Sequence, residues 1–263
     1  MRLTVLGSGS CELRARRSSP AYLVEEGAYR LLLDLGAGAW RRLTELGRDP
    51  ASVAAVALSH PHPDHLGDLV PLLFALNYDP NLNQGPGVDL LAPAGLEPIL
   101  AGIQAPFGAW LRPPPERLRC WWLEPGQGLV LGPLAVTCAP AAHTPQSLAW
   151  RIAAGGASLV YLGDSAAAPW LIDFCRGADL LLAHCAGGDE APKPGHIHPR
   201  AAGELARRAG VRALLLSHFY RDVDPEAAVS SAAAVFGGPV WAAVDGAAYL
   251  VREGGAIPLA DNP

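Results

Sequence analysis

Residues 60–65 read His-Pro-His-Pro-Asp-His, three imidazoles and a carboxylate in one short loop of a chain that holds only 8 histidines in 263 residues. Nitrogen and oxygen donors of this kind suit a borderline-soft divalent ion such as zinc. The intervening prolines stiffen the backbone, so adjacent side chains leave it in different directions and one loop can serve two ions. A surface loop that merely happens to be rich in histidine is the competing reading, and the scarcity of histidine elsewhere counts against it. The loop follows the apolar run 53–58 and precedes a helix-like stretch beginning at Leu66, so all four donors leave one strand end together.

A His-x-His-x-Asp-His loop after a strand resembles the signature of the metallo-β-lactamase-fold hydrolases, and later motifs of that family match along nearly the whole chain. His143 stands in Ala-Ala-His-Thr-Pro, Asp164 in Tyr-Leu-Gly-Asp-Ser and His218 in Leu-Leu-Leu-Ser-His-Phe. The resemblance implies that His60, His62 and His143 hold one ion, that Asp64, His65 and His218 hold a second, and that Asp164 bridges them. It also implies that Asp34, at a strand end beside Gly36 and Gly38, lies beneath the site and accepts a hydrogen bond from a ligand imidazole. Zinc is the expected metal, and manganese or iron would accept the same donors. Two such ions activate a water and stabilise charge on an attacked phosphorus or carbon, so no Ser or Cys nucleophile is required.

Gly195-His196-Ile197-His198, followed by Pro-Arg-Ala-Ala-Gly-Glu-Leu-Ala, is similar to the Gly-His-Ser-Thr and helix of the ribonuclease Z-like branch. In that branch the matching histidine serves the leaving oxygen, so His196 is assigned to catalysis together with Asp64. His198 is a further pocket candidate. His184 stands where the branch usually carries an acidic residue, and it is expected in the layer behind the ligands or against substrate.

Members of the branch that process transfer RNA commonly carry an inserted arm between the positions of His143 and Asp164, and this chain has no room for one. The 20 basic and 25 acidic residues give a formal charge of −5, which argues against the broad positive surface that long nucleic acids require. Arg14, Arg16 and Arg17 in the loop 7–20 form one local basic patch, either a cover over a pocket or a solvated loop. The reading is therefore a binuclear hydrolase acting as a phosphodiesterase on a small or single-stranded phosphodiester. The alternatives are a ribonuclease Z-type endonuclease maturing transfer-RNA 3′ ends, a carboxylic ester, lactone or thioester hydrolase, and a catalytically silent metal-binding interaction protein.

These residues need strand ends to carry them. Strands are expected at 3–6, 22–24 and 30–34 for a first sheet and at 134–139, 148–153 and 158–162 for a second, with further strands at 53–59, 88–92, 179–183 and 212–217. Helices are expected at 40–46, ending at Gly47, and at 66–76, 96–102, 170–176, 199–209 and 225–235. Asp68, near the start of one helix, suits the capping of backbone amides or a bond to a ligand histidine. The stretches 77–88 and 105–116 read as loops, the second bearing Phe107 and Trp110 as packing residues, a lid or a homodimer contact. The sum is an α/β protein, an αββα sandwich of two mixed sheets in a single domain over residues 1–263, with the site at the sheets' common edge. With 50% hydrophobic residues the chain can bury such a core. Five scattered cysteines without a Cys-x-x-Cys pair argue against a disulfide framework and a thiolate zinc cage. No apolar run approaches the roughly 20 residues that cross a bilayer, so a cytoplasmic protein without membrane contact is expected.

Overall fold

The computed structural model describes residues 1–260. Strands β1 (Arg2–Gly7), β2 (Ala21–Glu26), β3 (Tyr29–Leu33), β4 (Ala55–Ala57), β5 (Val88–Pro93) and β6 (Leu118–Leu123) open the chain in one sheet. A second sheet takes β7 (Gly128–Leu131), β8 (Leu134–Pro140), β9 (Leu148–Ala154), β10 (Ala157–Tyr161), β11 (Leu180–His184), β12 (Leu214–Ser217) and β13 (Val240–Ala242). The chain then returns to the first sheet with β14 (Ala248–Arg252) and β15 (Gly255–Pro258). The strand orders are β15-β14-β1-β2-β3-β4-β5-β6 and β13-β12-β11-β10-β9-β8-β7. Both sheets are mixed: β3 to β6 and β10 to β13 run parallel, and the remaining pairs are antiparallel.

The apolar residues divide into three layers, which is what a four-layer sandwich requires. Leu3, Tyr22, Leu33, Trp150, Ile152, Leu180 and Leu215 pack between the sheets. On the outer face of the first sheet, α1 (Ala39–Glu45), α2 (Pro63–Leu66), α3 (Leu69–Tyr78), α4 (Pro80–Asn83) and α5 (Glu97–Gln104) follow one another, burying Leu43, Leu72, Leu82 and Leu100. On the second, α6 (Pro169–Phe174), α7 (Pro199–Ala209) and α8 (Pro225–Phe236) bury Leu171, Leu205 and Phe236. Central strands such as β10 and β12 are buried at every position, as parallel strands covered on both faces must be. The expected αββα sandwich is the observed fold.

Local differences have local causes. The helix expected over 66–76 is two pieces, because the chain turns at Gly67 and Asp68. A Cβ on Gly67 would lie 3.0 Å from the side chain and backbone of Ala37, so glycine lets this turn close tightly against the loop before α1. Asp68 makes no cap to its own helix; its carboxylate accepts from the amides of Gly38 and Trp40 at 3.0 and 2.8 Å, capping α1 instead. The strand expected over 53–59 pairs only at Ala55–Ala57. The stretch 77–88 contains α4, whose start is capped by Asp79. The three closing strands β13, β14 and β15 have no counterpart in the sequence reading; β13 is only three residues long, and β14 carries no clean alternation. Phe107, 46% exposed, precedes a 3₁₀ turn (Gly108–Leu111) that contains Trp110, 61% exposed, and that the Asn77 amide ties to α3 through the Trp110 carbonyl at 2.9 Å. Among the described residues no helix is long and apolar enough to cross a membrane.

Candidate metal centre

Strand direction explains where the site lies. β3 and β4 are parallel, β10, β11 and β12 are parallel, and β8 points the same way as β10 because two antiparallel pairings separate them. Their C-terminal ends open on a common edge, the position at which α/β sheets bind ligands. Asp34 follows β3, the 59–65 loop follows β4, His143 follows β8, Asp164 follows β10, His184 ends β11 and His218 follows β12. Asp34 and His218 are the two non-glycine residues with positive φ among the described residues, at 56° and 63°. That conformation costs about 1–3 kcal/mol for a side chain other than glycine. Both residues turn sharply off a strand end to face the centre.

The side chains converge in two groups. One ligand atom from each of His60, His62, His143 and Asp164 lies within 4.8 Å of the others, and the same holds for His65, Asp164, His184 and His218. Asp164 is common to both. Its Oδ2 lies 3.6, 3.3 and 3.8 Å from the Nε2 atoms of His60, His65 and His143. Its Oδ1 lies 3.6 Å from His218 Nε2, 3.8 Å from His196 Nδ1 and 2.8 Å from His184 Nδ1. Asp64 Oδ2 is 3.4 Å from His218 Nε2 and 3.8 Å from His65 Nε2, on the side of the second group. His62 Nδ1 and His143 Nε2 are 3.2 Å apart.

A second layer aims the rings. Ser59 Oγ is 2.9 Å from His60 Nδ1, Asp34 Oδ2 is 2.6 Å from His65 Nδ1 and the Gly195 carbonyl is 2.9 Å from His143 Nδ1. Gly195, at φ 74°, approaches so closely that a Cβ there would sit 2.7 Å from that nitrogen. Asp34 is itself held by the Ser59 amide and hydroxyl at 2.6 and 2.7 Å and by the Tyr161 hydroxyl. With one nitrogen anchored behind, each ring turns the other into the cluster. His60 Nε2 and His65 Nε2 are buried there with no hydrogen-bond partner. Buried polar atoms are rarely left unpaired, and imidazole nitrogens grouped around a carboxylate are the donors a divalent ion takes, so these residues fit a metal.

On the protein's own charges, burial and the neighbouring His65 hold His60 far below the ordinary histidine range. Burial would also lower His65, but the Asp164 and Asp34 carboxylates outweigh it and raise that ring well above its usual value. Burial acts to raise Asp164, and the facing His218 and His65 imidazoles instead keep it well below the usual carboxylate range. Burial lowers His196 to about 4 against the pull of Asp164, so near neutral pH it presents an uncharged ring. That ring stacks on His218 with centroids 5.7 Å apart and stands 4.8 Å from the His143 ring.

Of the two further histidines singled out in the sequence, one lies outside the cluster and the other behind it. His198 binds Asp189 Oδ1 at 2.6 Å at the start of α7, outside both donor groups. His184 is wholly buried behind Asp164, with Tyr22 Oη 2.8 Å from its Nε2. Arg17 turns inward, donating to Ser8 Oγ and the Ala243 carbonyl at 2.7 and 2.8 Å, while Arg14 and Arg16 are exposed. Ser8 in turn accepts the His218 amide at 3.0 Å, so the 7–20 loop braces the His218 turn. Tyr22, Ser59, Tyr161 and Tyr220 at the centre escaped the sequence reading. Ser59 was detectable as the residue before the histidine loop, whereas the tyrosines in β2 and β10 look like any core aromatic.

The model of the β-lactamase superfamily domain matches residues 29–219. Protein Rv1339 of Mycobacterium tuberculosis is 31% identical over 259 residues, covering 97% of this chain and 94% of that protein. A Bacillus subtilis protein named as the probable metallo-hydrolase YhfI is 31% identical over 221 residues, 83% of this chain and 86% of its own. The crystal structure of YhfI, a metallo-β-lactamase fold protein, superposes with a TM-score of 0.84 over 94% of this chain and 98% of that one, at 28% identity. Ribonuclease Z of Mycolicibacterium gilvum is 28% identical over 253 residues, 86% of each chain. Strand-end histidines around a shared aspartate, in two facing mixed sheets, thus recur with the family's sequence pattern, and the chain belongs to the metallo-β-lactamase superfamily of metal-dependent hydrolases.

Proposed function

We propose that the chain is a two-metal phosphodiesterase acting on a small or single-stranded phosphodiester. In this reading His60, His62 and His143 hold one divalent ion, Asp64, His65 and His218 hold the other, and Asp164 bridges them. The observation that carries it is Asp164 itself, the one residue common to both groups of donor atoms. Zinc fits the donors, as do manganese and iron. Two such ions, when bound, would supply Lewis-acid polarisation of a phosphoryl or carbonyl oxygen and a lowered pKa for an attacking water.

The protein supplies orientation around that chemistry. Ser59, Asp34 and the Gly195 carbonyl fix the ring planes of His60, His65 and His143 before substrate arrives, so little reorganisation accompanies the reaction. His196 stands beside both donor groups without joining either, and its buried Nδ1 has no hydrogen-bond partner. We assign it a hydrogen bond to the leaving oxygen.

Substrate size is read from the segment between His143 and Asp164. It is occupied by the β9–β10 hairpin, turned at Gly155 and Gly156, with no projecting arm to grip a folded RNA. The ribonuclease Z relative supports a second reading, maturation of transfer-RNA 3′ ends.

The test is a substrate panel on protein loaded with zinc or manganese, with metal content measured beside it. Two ions per chain, turnover of bis(p-nitrophenyl) phosphate and no cleavage of a transfer-RNA precursor bearing a 3′ trailer are expected. Preference for a carboxylic ester would move the reading to another branch of the superfamily. A single ion per chain at saturation would remove the two-metal reading.

A further inference from the structure

Both ring nitrogens of His184 lie within hydrogen-bond distance of protein oxygens. Nδ1 lies 2.8 Å from Asp164 Oδ1, and Nε2 lies 2.8 Å from Tyr22 Oη. Tyr22 Oη lies in turn 2.7 Å from Ser217 Oγ. All four residues are buried, and the chain of contacts crosses between the sheets, from β2 to the ends of β11 and β12. A second tyrosine makes the reverse crossing. Tyr161, on β10, reaches Asp34 at the end of β3, and the two phenol rings lie 5.4 Å apart. Each sheet thus sends one hydroxyl under the other's half of the centre.

We infer that His184 is a positioning residue: its Nδ1–H donates to Asp164 Oδ1 and so aims the shared carboxylate, while the contact with Tyr22 behind the ring fixes its orientation. The inference rests on the reading of Asp164 as the bridging ligand. An ionised carboxylate only accepts hydrogen bonds, so the facing nitrogen must carry the proton. On the far side of the ring Nε2 lies 2.8 Å from Tyr22 Oη, whose hydroxyl donates to Ser217 Oγ at 2.7 Å, so the ring is held in place from behind. Oδ1 is also the oxygen nearer His218, whereas Oδ2 faces His60, His65 and His143. Without the bond to His184 the carboxylate could rotate and offer both oxygens to one side.

The experiment separates the two nitrogens. Asn at position 184 places an amide N–H where Nδ1 lies and loses the contact with Tyr22; Gln reaches towards Nε2 and leaves Asp164 without its donor. His184→Asn is expected to hold two zinc ions at close to wild-type affinity, and His184→Gln to lose about tenfold to hundredfold in affinity, the range seen when a ligand's supporting partner is removed. Affinity is read by competition with a chromogenic chelator, so turnover is not needed. The wild-type protein carrying ¹⁵N-histidine gives an independent reading, because the ring nitrogen shifts distinguish the tautomers with and without zinc. The Nδ1–H form at His184 is expected. An Nε2–H form, or equal zinc affinity in the two variants, would overturn the inference. Should both variants fail to fold, the tautomer measurement decides. One zinc per wild-type chain would instead sink the bridging reading.

Discussion

The two halves of the centre are built by different means. The first sheet supplies His60, His62, Asp64 and His65 from one loop, whose turn is closed locally by the His65 amide on the His62 carbonyl at 2.9 Å. The second sheet supplies His143, Asp164 and His218 from three different strand ends, separated by whole elements of the chain. Each is secured by a distant partner: Gly195 for His143, His184 for Asp164, Ser8 for His218. The local half depends on backbone stereochemistry that two prolines restrict. The distributed half exists only when both sheets are assembled, so metal affinity reports on the fold through the second sheet.

The largest effect should come from Asp164, where the halves meet. Asp164→Ala removes the one carboxylate shared by both donor groups and leaves His65, His184 and His218 facing one another without it. Losing charge stabilisation of several kcal/mol lowers turnover by more than about a thousandfold. Metal content should fall below one ion per chain while circular dichroism stays native, since Asp164 contributes to none of the three apolar layers. Normal activity in this variant would dissolve the division into two halves.

His196 comes next, because it belongs to the second sheet's side without being among the grouped ligand atoms. His196→Ala should keep both ions yet lose about a hundredfold or more on a phosphodiester with an alkoxide leaving group, the scale of one lost hydrogen bond to developing charge. An activated nitrophenyl ester departs without such help and should lose much less. Comparing kcat for the two substrates tests this. Equal losses would assign His196 to binding or to support of His218.

On the first sheet's side, Asp34→Asn keeps the shape and tolerates positive φ, as asparagine does. Asp34 accepts from the Ser59 amide on Oδ1, and from the Ser59 hydroxyl, His65 Nδ1 and the Tyr161 hydroxyl on Oδ2. An amide offers only one accepting oxygen, so at least one donor meets another donor. Zinc affinity should fall by about tenfold to hundredfold, read by competition titration. An unchanged affinity would mean that the loop alone aims His65.

This contrast explains what could be read from the amino-acid order. The 60–65 loop was legible because its donors are contiguous, and the scattered His143, Asp164 and His218 became legible only by likeness to a family. The sandwich was legible because strand and helix periods alternate after residue 158, and the helix boundaries at 199–209 match α7. The three closing strands β13 to β15 were not: β13 pairs with β12 across α8, β14 with β1 from the other end of the chain, and β15 is a short strand added to β14. Tyr22 and Tyr161 were invisible for a different reason: in each, a ring packs in the core while its hydroxyl serves the centre, and sequence records only the ring's periodicity. His198 looked like a site residue by its neighbour His196, yet α7 begins there and turns its ring to Asp189.

The smallest effect is expected at Asp68, which lies just after the histidine loop and belongs to neither donor group. Its carboxylate caps the start of α1 through the Gly38 and Trp40 amides, and it makes no contact with a histidine. Its own amide donates to the Leu35 carbonyl at 3.0 Å, and the Leu35 amide donates to the His65 carbonyl at 2.8 Å, so backbone alone ties the α2–α3 turn to the loop after β3. Asp68→Ala removes the cap and leaves those backbone bonds in place. Loss of a helix cap costs about 1–2 kcal/mol, which in a chain of this size lowers Tm by a few degrees. Differential scanning calorimetry should show that drop, with zinc stoichiometry and kcat unchanged. A variant that also lost zinc would show that the local half leans on its neighbouring helix, and the distinction between a self-contained loop and a distributed second half would fail.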